Sequence, residues 1–153
     1  MAKDEVLTGT VSDPKDYRIP GALLGVGVLI YLAWGFLTGG SAGLVAMVIY
    51  LPVRLIVQVI LGVIACFITA RFMGTSFGYL KSALVKLAAI FVFPSAATFF
   101  IPWVGGIIAI LLYWKLLEWL FELEALETIM LAIVIWFVNI GAFFLVAFLG
   151  LVM

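Results

Sequence analysis

Five long apolar stretches, separated by charge, proline or glycine, constrain this chain more than any other feature. About 20 apolar residues at helical rise are what it takes to span the ~30 Å hydrocarbon layer of a bilayer. The stretches run over about 21–37, 43–70, 83–101, 104–117 and 128–149. Composition agrees: of 153 residues 67% are hydrophobic and 10% charged, against ~45–50% and ~25% in soluble domains. The pattern predicts an all-α, polytopic transmembrane helical bundle of about five spans. A polar cytoplasmic N-terminal segment over 1–19 would precede a single transmembrane domain over 20–153. The expected solvent is the lipid bilayer. Formal net charge is zero and the charges are segregated along the chain, a pattern of topology rather than of nucleic-acid binding.

Breaks between the stretches set the expected connections. Thr38, Gly39, Gly40 and Ser41 mark a tight turn after the first span. The second stretch is too long for an upright span, and Pro52 divides it, so a kink or strong tilt is expected there. Whether 43–50 spans or re-enters stays open at this level. The semi-polar stretch 71–86, with Gly74, Thr75, Ser76, Gly78, Lys81 and Ser82, reads as a loop followed by an interfacial helix start. Pro94 falls inside the third span, and Pro102, Trp103, Gly105 and Gly106 tighten the next connection.

Orientation follows from short loops, because Lys and Arg resist translocation. Lys3, Lys15 and Arg18 lie before the first span and Arg71, Lys81 and Lys86 around the second connection, whereas the other two short turns carry no charge. An odd number of spans then puts the N-terminus in the cytoplasm and the C-terminus outside, in the inner membrane if the chain is bacterial. The first apolar run exceeds the ~7–15 residues of a signal-peptide core, which predicts a retained signal-anchor.

Few polar side chains fall inside the spans. Arg54 shares a helical face with Tyr50 and Gln58. Two readings of it stand side by side. It snorkels to the headgroups from the outer end of its helix, or it joins Gln58 and the mid-span Asn139 in a buried polar cluster that fixes packing or lines a path. Asn139 is expected to bond across to another helix. Gly21 and Gly25, Gly35 and Gly39, and Gly74 and Gly78 have the spacing that lets helices approach closely, in internal packing or in a homo-oligomer. The single cysteine, Cys66, reads as an apolar filler.

The segment from Lys115 to Glu127 interleaves Glu118, Glu122, Glu124 and Glu127 with leucines and aromatics. Glu118 and Glu122 fall on one face, and Leu116, Trp119, Leu120 and Leu123 on another. This predicts an amphipathic interfacial helix whose acidic face is a partner-facing segment for a basic protein, or else a solvated connector. Chemistry has little to work with: there is no histidine, and no motif for a nucleophile, a metal, a phosphate or an electron-transfer group. Ser82 and Lys86 share a face, but Lys86 needs only headgroups as a partner. No catalytic, cofactor-binding or metal residue is expected, and the chain is not expected to be an enzyme.

The stretch Gly74-Thr75-Ser76-Phe77-Gly78-Tyr79-Leu80 through Phe93-Pro94, set in a five-span layout, resembles the opening of the third span in the Yip family, named for interaction with Ypt/Rab GTPases. The chain departs from the eukaryotic members, whose aspartate–leucine–tyrosine–glycine–proline signature is here Asp16-Tyr17-Arg18-Ile19-Pro20-Gly21. It is more like the compact bacterial Yip-type proteins. The resemblance implies a non-enzymatic membrane scaffold or adaptor with a membrane-protein or cytoplasmic protein partner. The alternative is a small transporter or channel subunit that uses Arg54, Gln58 and Asn139, flanked by proline-interrupted spans.

Overall fold

The computed structural model describes residues 15–75, 77–78, 80–99 and 104–152. Among them lie four helices and no strand: α1 (Lys15–Met73), α2 (Leu80–Ala97), α3 (Gly105–Phe121) and α4 (Ala125–Val152).

α1 is two helices joined at Gly40, whose φ of 57° and ψ of −141° are the one departure from helical backbone inside it. That backbone is open to glycine and strained for other residues. The bend folds the second arm, 41–73, back along the first, 15–39. At the tip the two backbones meet with no side chain between them: a methyl group at Gly43 would run into the Gly35 carbonyl oxygen, and one at Gly35 would fall 2.6 Å from Met47. The reading of a turn near 38–41 holds, and at Pro52, where a kink or strong tilt is expected, the backbone stays helical. Proline removes one backbone hydrogen bond from a helix, and here the helix continues through Pro52 as part of one continuous second arm. The segment 43–50 belongs to that arm. The helix also starts at Lys15, inside the segment read as the polar N-terminal tail.

α2 sits in the middle of the molecule, packed against both arms of α1 and against α3. Leu87, Ala89, Ile90 and Ala96 are fully buried along it. Against α2, close approach comes from glycines other than the spaced pairs of the sequence, of which Gly35 alone meets a neighbour, at the hairpin tip. A methyl at Gly27 would meet Val92 and Phe93, and one at Gly62 would meet Phe91 and Leu87, whereas Gly21, Gly25 and Gly39 have nothing nearby. Gly74 and Gly78 serve a different purpose, with φ of 71° and 70° in the α1–α2 connection. That connection is shorter than the stretch 71–86 suggested, because α1 reaches Met73 and α2 begins at Leu80. Cys66 is buried in the core, as a filler would be.

α3 and α4 are separated by a sharp stop. Glu122 adopts left-handed backbone (φ 52°, ψ 37°), and the N–H groups of Glu122 and Leu123 both return to the Glu118 carbonyl. The continuous amphipathic helix expected over 115–127 is therefore replaced by the last turns of α3, this reversal, and the first turn of α4. Leu116, Leu117, Leu120, Phe121 and Leu123 all enter the core on either side of this reversal. Trp119, expected with the leucines, faces outward at 55% exposure. Glu127 reaches back to the Glu124 N–H at 3.1 Å, half of a capping box that starts α4.

The exterior is apolar. Large side chains such as Leu37, Ile49, Phe72, Trp136, Phe143 and Phe148 are exposed. Two helices, Tyr17–Met73 and Ala125–Phe148, are long and apolar enough to cross a membrane.

Candidate functional site

The polar side chains read from the apolar runs separate into two places. Arg54, on the second arm of α1, is half-buried and turned toward the first arm, where its Nη1 donates to the Tyr31 hydroxyl at 3.2 Å. Tyr31 is 2% exposed and passes the connection on, its hydroxyl donating to Ser95 Oγ of α2 at 2.9 Å. Ser95 ends the chain on its own helix, on the carbonyls of Phe91 (2.6 Å) and Val92 (3.0 Å). One polar line thus joins three helical segments that otherwise touch through hydrocarbon. The Tyr50 ring lies 5.9 Å from the guanidinium carbon, a cation–π distance that steadies the head group. Phe99 closes the end of the line, edge-on to Tyr31 (4.8 Å between centroids) and stacked on Trp34 (5.3 Å).

Gln58 lines a recess with Arg54, Tyr31 and Ser95, so the shared face read from the sequence is present. Its volume is about 10 Å³, room for about one water molecule. Asn139 is elsewhere in the hydrogen-bond network: its Nδ2 donates to the Ile135 carbonyl one turn back on α4, at 2.8 Å. In place of the bond expected across to another helix there is this local one, which gives the amide N–H an acceptor on its own helix. Tyr31 and Ser95, which complete the line, went unread in the sequence. A tyrosine hydroxyl in an apolar run needs an acceptor, and that requirement is the only hint the sequence offers.

The second place is the end of the molecule where α1 stops and α4 starts. The Thr75 hydroxyl donates to Glu127 Oε1 at 2.7 Å, tying the α1–α2 connection to the first turn of α4. The Thr75 hydroxyl, and then the Glu124 N–H, hold the Glu127 carboxyl below its ordinary value of 4.5. Glu118 pairs with Lys115 at 2.8 Å, an exposed ion pair of little energetic weight. Glu122 and Glu124 stay exposed, as do Arg71 and Lys81. Of the four glutamates read as partner-facing, Glu127 is therefore engaged within the chain and Glu122 and Glu124 are open.

Among the described residues no group of three or more metal-ligating side chains is present. Ser82 is buried with its hydroxyl unpaired, and Lys86 lies 5.8 Å from the Phe121 ring centroid. No protein-family model, curated protein or solved structure matches the chain.

Proposed function

We propose that the chain is a multi-pass integral membrane protein acting as a non-enzymatic scaffold or adaptor of the Yip-like type. Counting the two arms of α1 separately, five helical segments of about 25 Å or more at ~1.5 Å per residue are available to cross. α4 supports a lipid setting most directly, since Trp136, Phe137, Phe143 and Phe144 are exposed along it, a surface that water would not tolerate. In this reading the N-terminus is cytoplasmic and the C-terminus outside, and residues 74–79 and 122–124 face the cytoplasm.

The observation that carries the scaffold reading is the Thr75–Glu127 hydrogen bond. It gathers the exposed Arg71 and Lys81 and the exposed Glu122 and Glu124 at one end of the bundle, as a fixed polar platform on a body that is otherwise apolar. A platform of both signs suits a protein partner or a second copy of the chain. Affinity capture in mild detergent tests it: a partner should be recovered with the native chain and lost with Glu122→Gln/Glu124→Gln, which leaves every internal hydrogen bond in place. Equal recovery with both chains would remove the platform from consideration.

A transporter or channel subunit is the second reading, favoured by a half-buried guanidinium that none of the described carboxylates reaches. The recess beside it is far below the ~300–1,000 Å³ of ordinary ligand pockets. Arg54→Leu separates the two readings, since a transporter would lose flux while still folded and a scaffold would keep its partner.

A further inference from the structure

We propose that the Arg54 recess and the groove running from it bind one anionic phospholipid of the surrounding bilayer, the phosphate on the guanidinium and one acyl chain along the groove. The inference goes beyond the scaffold reading and needs only that the chain lies in a membrane.

The groove has a volume of about 370 Å³, and its walls include Leu24, Leu55, Val59, Ile60, Leu84 and Ala88. Leu55 lines both it and the Arg54 recess, so the two are adjacent. The remaining walls extend the same helical faces. Leu24 lies two turns before Tyr31, and Ala88 and Leu84 lie two and three turns before Ser95. A polar head site and an apolar channel therefore share one line along the bundle, as an amphiphile requires.

Charge selects the occupant. Among the described residues the guanidinium makes one hydrogen bond, to a neutral hydroxyl, and the only ion pair is Lys115–Glu118. An arginine has five N–H donors in a fork that matches phosphate oxygens. Leaving them unmatched within the hydrocarbon is costly, and a phosphate drawn in from the headgroups supplies both the charge and the acceptors. The Gln58 amide, on the same recess, adds a donor for a further oxygen.

The direction of the groove fits a lipid of the leaflet at the hairpin tip. Tyr31 lies nine residues before Gly40, about 14 Å along the helix, so a phosphate on Arg54 is drawn well inward of the headgroups at the tip. From there the groove runs away from the tip, the direction in which acyl chains of that leaflet run.

The test uses the full chain, delipidated in mild detergent, with thermal unfolding followed by tryptophan fluorescence and bound lipid counted by native mass spectrometry. Phosphatidylglycerol should raise the unfolding temperature and stay bound, while phosphatidylcholine and inorganic phosphate should do neither. Arg54→Gln should retain about tenfold less phosphatidylglycerol, the scale of one charge-assisted phosphate contact. Leu84→Trp, which fills the groove from its exposed rim and leaves Arg54 untouched, should do the same and decides the matter if Arg54→Gln does not fold. Equal retention of the two lipids, undiminished phosphatidylglycerol on both variants, or equal protection by inorganic phosphate would overturn the proposal. The last outcome would point to a site for a free anion.

Discussion

Helix α4 is more apolar than the α1 hairpin or α2, and the two regions are held in opposite ways. In the first region backbones approach until glycines touch neighbouring chains, Leu87 and Ile90 are sealed, and a polar line from Arg54 through Tyr31 to Ser95 crosses three segments. In the second, Leu131 and Ile135 are buried, most other side chains are exposed, and the polar tie is at one end, from Thr75 to Glu127. Hydrophobicity therefore does not decide which helix is integral to the fold. In lipid there is no hydrophobic drive between helices, so close packing and interhelical hydrogen bonds decide it. α1 and α2 have both. α4 is attached mainly through its first half.

The contrast can be broken most severely at its best-packed point. Leu87→Ala should lower stability in detergent unfolding by about 3 kcal/mol, whereas Leu145→Ala, exposed on α4, should leave the transition unmoved. A comparable loss at both sites would mean that α4 is as tightly integrated as α2. Next in size is the hairpin tip: Gly43→Ala sets a methyl against the Gly35 carbonyl and should cost about 2 kcal/mol. On α4, Gly141→Ala meets nothing and should be neutral or slightly stabilising.

Tyr31→Phe sharpens the comparison further by removing the hydroxyl that joins Arg54 to Ser95. A loss of about 1 kcal/mol is expected, and disulfide cross-linking between the first arm and α2 should become less selective. Asn139→Leu, which breaks only a bond within α4, should leave interhelical cross-linking unchanged. The smallest effect is on pH. The Glu127 carboxyl is held below 4.5 by Thr75 and then by the Glu124 N–H, so its contribution is complete above 4.5 and declines as pH falls through the lowered folded value. Hydrogen exchange in the first turn of α4 should rise on acidification, and Thr75→Val should flatten that dependence. An unchanged slope in Thr75→Val would show that the tie does not govern the α4 end.

Much of the helical layout was legible because runs of apolar residues and glycine turns are local signals. The five segments lie where the five runs do, and the bend near 38–41 is where paired glycines announce it. Pro52 does not interrupt the second arm, because one lost hydrogen bond is tolerable inside a helix otherwise continuous on both sides. Lys115–Glu127 misled because its periodicity fits one helix, while the left-handed backbone at Glu122 that ends α3 leaves no mark on the apolar spacing. The face shared by Arg54 and Gln58 was readable from spacing. Its partners Tyr31 and Ser95 were not, since they lie 23 and 41 residues from Arg54 in sequence.

The sequence by itself determined that this chain is helical, apolar on its exterior and poor in groups that do chemistry, because composition and period act residue by residue. Only the tertiary structure decided that Arg54 meets Tyr31 and not Asn139, that Gly35 packs on Gly43, and that Thr75 holds Glu127. Each of those is a contact between segments, set by how rigid helices rotate and slide until backbones close and polar groups are satisfied, and no local pattern carries that information.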